Sequence, residues 1–535
     1  MNRQTKKGLL ALAVLGIILP LFSCGGNREA AKKPELKIIN VGVTNDPATL
    51  NPIATNNVLA STLTGTIYLP LTAIDENLKF VYRLAENVAT RDNKIFTIKI
   101  NKNIKWTDGK NVSADDVVWS LNLYTNPKTG THEPSTYNII LGTDNSGLIE
   151  NGGDTLAGVK KIDDHTLTIE VKYPITLDIF NLTLGGLRTL PRHIYGSEPV
   201  ENLRKSPLLQ NPQVTNGPLK FKEYAAASHI TFETNKDFAL GKPIIDLINF
   251  KFLPGTQITA QLESGEIDMN YPLVGNIPND DYDRIKRQPH LRTALGVPSN
   301  IQVLFINSKT INNLKVRQAL DLAIDRQGIL DNVLKGAAEI SRTPVTNRIQ
   351  YWNEAASKWV YDPDRARQLI NESGWDKSKK IVFALPAGNS TREKVGTILV
   401  EAFNNIGLNV VIEKGDFAAT LAKVQSANNY DLSIIGMPDV PFNIVRYLRV
   451  YAATQYTWTN YSNPAADRLV DTIQTSIDDT VVKNAYYALQ ELIAEEVPVA
   501  GIYSELALRA VNKRIKYGEI KEYGQLLDID KWDVE

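Results

Sequence analysis

Two rhythms of apolar and polar positions run along this chain. Toward the N-terminal side the period is two. Phe96, Ile98 and Ile100 alternate with Thr97 and Lys99, and Leu167, Ile169 and Val171 with Thr168 and Glu170; such alternation predicts half-buried strands. The run Lys37 to Val43 predicts a buried strand that ends in the loop Thr44 to Pro52. In the second half the period becomes helical. Val316, Ala319, Leu320, Ala323 and Ile324 share one face, with Arg317 and Asp321 a turn apart on the opposite side. Asp362-Pro363-Asp364 predicts a helix start by N-cap, first-turn proline and acidic first turn, and Gly374 a helix end. Asn463-Pro464 begins another helix, with Leu469, Val470 and Ile473 on its buried face, and a stripe of Ala485, Leu489, Leu492 and Ile493 is stopped by Pro498. Neither an internal repeat nor a long linker interrupts the pattern, so the mixed α/β chain folds as intertwined domains.

At 535 residues the chain exceeds one ordinary core, and two or three domains are expected. The first residues differ from the rest. Arg3, Lys6 and Lys7 precede the apolar run Gly8 to Phe22, which is short for a membrane span and fits a secretory signal. Leu21-Phe22-Ser23-Cys24, followed by Gly25-Gly26, resembles a bacterial lipobox. The expectation is cleavage before Cys24, lipid on that residue, and a flexible tether over residues 24–35. Cys24 is the sole cysteine, so no internal disulfide is available and the cores alone must hold the exported protein. Removing residues 1–23 takes away three cations and leaves 56 Lys+Arg against 59 Asp+Glu, a net charge of −3. A chain so balanced lacks the basic excess that nucleic acid demands.

Trp106-Thr107-Asp108-Gly109-Lys110-Asn111-Val112-Ser113-Ala114-Asp115-Asp116-Val117 reads, on its residues alone, as a glycine turn followed by a capped helix start with carboxylates in its first turn. The block closely resembles the W-[ST]-D-G-x-x-x-[ST]-A-x-D-V segment of the bacterial family 5 extracellular solute-binding proteins, the dipeptide, oligopeptide and nickel receptors of ABC importers. Further blocks resemble the family in the same order. They are Leu84-Ala85-Glu86-Asn87, Thr215 to Phe221 around Asn216-Gly217-Pro218, Leu262 to Asp268 with Gly265-Glu266, and Phe305-Ile306-Asn307 with Val316 to Arg326. Tyr361-Asp362-Pro363 to Trp375 and Glu496 to Tyr503 complete the series. The resemblance implies a periplasmic-binding-protein type II fold: two lobes joined by a two-strand hinge, with an extra subdomain on the first. The implied division is lobe I over 36–58, 192–300 and 501–535, its subdomain over 59–191, and lobe II over 301–500. A ligand enclosed between the lobes must touch both, because only differential affinity shifts the open–closed balance.

Peptide-binding members hold the ligand's α-amino group with an aspartate shortly after a second-lobe strand. Here that strand is Tyr430 to Gly436, and the loop after it contains Met437 and Asp439. A buried ammonium needs such a carboxylate, to the extent of about 2–5 kcal/mol. Arg446 or Arg449 is the candidate partner of a ligand carboxylate. Asn45 and Asp46 occupy the position of the family's first ligand-side loop, although Asp46 also reads as a loop cap. Trp458, with Tyr456 and Tyr461 near it, is either an apolar wall of the pocket or a structural aromatic.

The five histidines are scattered without zinc spacing, and no G-x-S-x-G, P-loop or HExxH occurs. Asp115-Asp116, Asp163-Asp164 and Asp280-Asp281 read as caps and turns. The expectation is therefore a receptor without cofactor, metal or catalysis. It is expected to be a monomer in the cell envelope, held to a membrane by its lipid and facing the periplasm or exterior. It would deliver short peptides to an ABC permease and a separate ATPase subunit. A receptor for a metal–chelator complex or an oligosaccharide, or for a peptide signal, stays open as the alternative.

Overall fold

A computed structural model describes residues 35–55, 57–425, 429–438, 448, 450–454 and 458–535. Cys24, Asp439, Arg446, Arg449 and Tyr456 lie outside the described residues. Strand pairing sorts the rest into two large sheets. The first has seven strands in the order Leu291–Leu295, Leu508–Asn512, Met269–Asn270, Ile38–Val43, Leu247–Phe252, His229–Thr234 and Leu219–Ala225. Ile38–Val43 lies at its centre, parallel to both neighbours and with Ile39, Val41 and Val43 fully buried. The second has six strands in the order Ala338–Ile340, Val499–Glu505, Asn300–Ile306, Leu432–Pro438, Lys380–Pro386 and Asn409–Gly415. Each face of this second sheet is covered by its own apolar cluster, one built with Leu304, Ile434 and Phe403, the other with Val303, Ile435 and Leu489.

The chain passes between the sheets twice, after Leu295 and again after Glu505. The two passages are tied together where Gly296 N–H donates to the Ala507 carbonyl at 2.8 Å. Tyr282 clamps the second passage: its hydroxyl donates to Leu506 O (3.3 Å) and accepts from Leu508 N (3.0 Å). Val499–Glu505 belongs wholly to the second sheet, so the chain returns to the first lobe at Leu506-Ala507.

A four-stranded antiparallel sheet, ordered Ala85–Thr90, Ile95–Ile100, Thr166–Glu170 and Val159–Asp163, forms the subdomain on the first lobe. The Trp106 block pins it in place. Gly109 supplies the positive φ of the turn, at 88°. Asp116 does more than meet the dipole of the helix Ala114–Thr125: it accepts from Ser113 N at 2.9 Å and from Arg192 N at 3.0 Å. Gly217 has an equally plain cause, since a Cβ there would lie 1.9 Å from the Thr66 carbonyl.

The helices fall where capping chemistry puts them. Asp362 caps Pro363–Glu372 and Asn463 caps Pro464–Thr475, each through a side-chain oxygen. Arg317 and Asp321 lie a turn apart opposite the apolar stripe, yet that side is not open to solvent. Both are buried, and no ion pair joins them among the described residues. Arg317 instead reaches back to the carbonyls of Glu496, Ile311 and Asn312. The helix Leu314–Leu322 is packed around more of its circumference than its apolar stripe indicates, because a long cationic side chain can satisfy orphan carbonyls beneath the surface.

Candidate ligand cleft

The first lobe carries a cavity of about 640 Å³ walled by Pro52, Ile53, Thr55 and Asn57, by Ser61 and Thr62 of the helix Val58–Ile67, by Tyr124, His132, Glu133 and Tyr137, and by Arg188 and Gln525. A second cavity, about 590 Å³, opens between the subdomain (Tyr173, Asp178, Ile179) and the second lobe (Tyr351, Asp479, Tyr486). Thr136 lines both, so the two adjoin, and the second reaches across the cleft to the second lobe.

Its first-lobe wall offers hydroxyls, an amide and an aromatic pair. Tyr124 and Tyr137 stack with ring centroids 5.8 Å apart, and burial raises both phenol pKa values, so they stay neutral. Glu133 and Arg188 are the wall's charged side chains, and Arg188 is held in place. Its guanidinium donates to the carbonyls of Gly186 and Ser61, the latter at 3.1 Å, while Tyr124 OH donates to Arg188 O at 3.0 Å. Among the described residues no carboxylate lies within ion-pair distance of it. Burial pulls its pKa down, yet an arginine remains charged. A cation held by backbone carbonyls and not paired with Glu133, the carboxylate on the same cavity wall, is a ready anchor for an anionic group on a ligand.

The residues singled out from the sequence sit elsewhere. Asn45 is exposed at the end of Ile38–Val43. Asp46 closes its own loop, accepting from Tyr224 OH (2.7 Å), Ala48 N (2.7 Å) and Ala227 N (3.0 Å). Burial pushes its pKa up, but these bonds outweigh burial and leave it lowered. Met437 is buried in the second lobe's core. Trp458 stacks on Phe305 at 5.8 Å, and its carbonyl accepts from Tyr430 OH at 2.7 Å. Tyr461 OH donates to Glu496 at 2.6 Å. Neither cavity is lined by any of these. Arg188 and His132 were not anticipated. The signal for Arg188 was the Gly185-Gly186 pair before it: a Cβ on Gly185 would lie 2.0 Å from Thr72 Oγ1, so the chain turns there as only glycine allows.

The lobes also meet in charge. Asp280 of the first lobe pairs with Lys394 (3.4 Å) and Lys335 (3.5 Å) of the second. Lys394 first, then Lys335, hold its carboxyl below the ordinary 3.8. A depressed pKa means the contribution is present above that ordinary value and is lost as pH falls through the lowered one. All three groups are exposed, so Asp280→Asn is expected to shift the balance between lobe-contacting and parted states by no more than about 1 kcal/mol. Small-angle scattering should show that shift at low salt and not at high salt; an equal shift at both would remove the pair from lobe contact.

Two lobes with mixed sheets, a double crossing and a cleft between them make this a type II periplasmic-binding-protein fold. Residues 79–458 match the model of the bacterial extracellular solute-binding proteins, family 5 (middle region), and the chain belongs to that family. It is 26% identical to the oligopeptide-binding protein AppA of Bacillus subtilis, over 99% of each chain. The structure of that AppA in complex with a nonapeptide superposes with a TM-score of 0.75 at 23% identity, covering 94% of this chain and 99% of AppA. NikZ of Campylobacter jejuni, in complex with Ni(L-His), gives the same TM-score of 0.75 at 21% identity, covering 93% and 99%. The fold thus accommodates unlike solutes, and the ligand must be argued from the site. Among the described residues no group of three metal-ligating side chains occurs, and no helix is long and apolar enough to cross a membrane.

Proposed function

We propose that this chain is the substrate-binding lipoprotein of an ABC importer, taking short peptides between its two closing lobes and delivering them to a membrane permease. The observation that carries this reading is its relationship to an oligopeptide-binding protein across 99% of both chains. The cleft supports it. Each cavity falls within the ~300–1,000 Å³ of a small-molecule site, and the two adjoin, which suits an extended chain better than a compact solute. Hydroxyls, an amide and stacked tyrosines along one wall match a ligand whose backbone repeats donors and acceptors, and Arg188 is positioned for a peptide carboxylate.

The remaining assignments are proposals of the same reading. Cys24 carries the lipid, and the mature protein is a monomer facing the periplasm or exterior. It performs no catalysis itself, ATP hydrolysis belonging to a separate subunit. Lobe I comprises about 37–58, 192–299 and 506–535, the subdomain 59–191, and lobe II 300–505, a return five residues later than the sequence pattern indicates. Asp439 follows Pro438, the last paired residue of Leu432–Pro438, and is proposed to hold the ligand's ammonium. Asp439→Ala is expected to weaken binding of a defined peptide tenfold or more in isothermal titration, because an unpaired buried ammonium costs over about 1.4 kcal/mol; unchanged affinity removes Asp439 from the site.

The test of the reading as a whole is native mass spectrometry of the chain from Gly25 onward, purified as expressed, followed by denaturation. A ladder of short peptides released from the protein is the expected result. A single non-peptide mass, or one with a metal isotope pattern, would sink the peptide reading in favour of a chelate or other solute.

A further inference from the structure

Where the second sheet approaches the hinge, four polar side chains come together without completing each other's hydrogen bonds. Gln302 stands opposite Tyr503 in the register of Asn300–Ile306 with Val499–Glu505. Glu505 lies two residues further on, hence on the same face as Tyr503. The helix Ser390–Asn405 covers this face: its Val395, Leu399 and Phe403 pack in the same cluster as Tyr503, and Arg392 projects from its first turn. Tyr503 is fully buried, and Gln302 and Arg392 are each 7% exposed. Even so, Arg392 Nε, Gln302 Oε1, Tyr503 OH and Glu505 Oε1 are all buried with no hydrogen-bond partner among the described residues.

The surroundings keep this gap open. A Cβ on Gly436 would lie 2.7 Å from Gln302 Nε2 and 2.7 Å from Asn300 Oδ1, so glycine is what lets those amides lie across the neighbouring strand. The Arg392 guanidinium sits 5.2 Å over the Phe417 ring, and among the described residues no carboxylate lies within ion-pair distance of it. Burial raises the Glu505 carboxyl, and Arg392 counters this only in part, as expected of two charges that sense each other across a space. The site adjoins the hinge, since Glu505 is the last residue of its strand before the chain crosses to the first lobe. Four unpartnered buried polar atoms gathered at one place call for a hydrogen-bonding explanation.

We propose that Arg392, Tyr503, Gln302 and Glu505 form a ligand subsite beside the hinge, apart from the two cavities described above, for an uncharged group that both donates and accepts hydrogen bonds, a carboxamide such as an asparagine or glutamine side chain of the ligand. This rests on the peptide reading above. The carboxamide oxygen accepts from Arg392 Nε–H and the Tyr503 hydroxyl, and its NH2 donates to Gln302 Oε1 and Glu505 Oε1. A ligand carboxylate there would face Glu505 and an ammonium would face Arg392, so the subsite selects against both charges. An apolar side chain of the same length would leave all four groups unpaired.

Alanine-based nonapeptides carrying one Gln, Met, Glu or Lys, scanned through the interior positions, are titrated into the mature chain and into Tyr503→Phe and Glu505→Gln. The expected result is one position at which Gln binds about tenfold more tightly than Met, Glu or Lys. In both variants that preference falls below about threefold, while the all-alanine peptide binds as before, which shows the variants folded. If peptides bind but no position distinguishes Gln from Met, or if both variants keep the preference, the subsite is overturned and its occupant is ordered water, with the peptide reading intact. If none of the peptides binds the unmodified chain, the peptide reading falls and the subsite with it.

Discussion

Replacing Asp321 by alanine is expected to destabilise the second lobe by about 3–5 kcal/mol, the cost of breaking a buried ion pair by removing one partner. Asp321 is buried, and its two oxygens serve two arginines: Oδ1 accepts from Arg326 Nη2 at 2.6 Å and Oδ2 from Arg342 Nε at 2.7 Å. Arg326 is fully buried, with its Nε on the Gly501 carbonyl at 2.9 Å, and Arg342 Nη2 reaches Ala494 O at 2.7 Å. The network thereby ties the helices Leu314–Leu322, Arg326–Asn332 and Asp479–Glu496 to the strand Val499–Glu505. Without Asp321 the Arg326 charge has no carboxylate and no water, and neutralisation is closed to an arginine. Urea unfolding followed by circular dichroism measures the loss. The exposed pair Arg365–Glu372 supplies the control, because water screens it and breaking it should cost little. A loss for Asp321→Ala no larger than the control's would show that Arg326 finds solvent after all.

That network also marks the boundary of what the sequence reveals. Val316 to Arg326 was legible as a family block and as a helix, but not the use of its polar residues, since a helical stripe says which side is apolar and not how deeply the other side is buried. Local chemistry was readable wherever the cause is local: the caps Asp362 and Asn463, the turn at Gly109, the strand alternation around Ile98 and Ile169. Asp46 likewise caps a loop, one of the two readings its sequence allowed. Met437 was ambiguous for a physical reason. Leu432–Pro438 is an inner strand with both faces covered, so a period of two cannot tell the face toward a ligand from the face toward the core. The cleft itself was out of reach. Its first-lobe wall draws on residues near 53–62, 124–137, 188 and 525, segments far apart in the chain that carry no shared spacing. Arg188 stands out only through what surrounds it, two carbonyls and, among the described residues, no acid within pairing distance, and that is a property of the folded molecule.

Arg188→Met is accordingly expected to weaken binding of a peptide with a free C-terminus by about tenfold to a hundredfold, the range of a lost hydrogen bond to a charged group, about 1.5–3 kcal/mol. A methionine keeps much of the side chain's apolar length and removes the fork and the charge. Because Arg188 also holds Ser61 and Gly186 through their carbonyls, the substitution loosens the wall as well, and affinity alone would not separate the two effects. A cycle with the ligand does. The same peptide amidated at its C-terminus should lose a comparable factor on the unmodified protein, and on Arg188→Met amidation should cost nothing further. Arg188→Lys should recover part of the affinity, since an ammonium restores the charge without the planar pair of donors. The losses should also change little with added salt, as a pair enclosed in the cleft is screened less than the exposed Asp280 contacts. Amidation that costs as much on Arg188→Met as on the unmodified protein would mean that the carboxylate is held elsewhere, and would leave Arg188 as a brace for the helix Val58–Ile67.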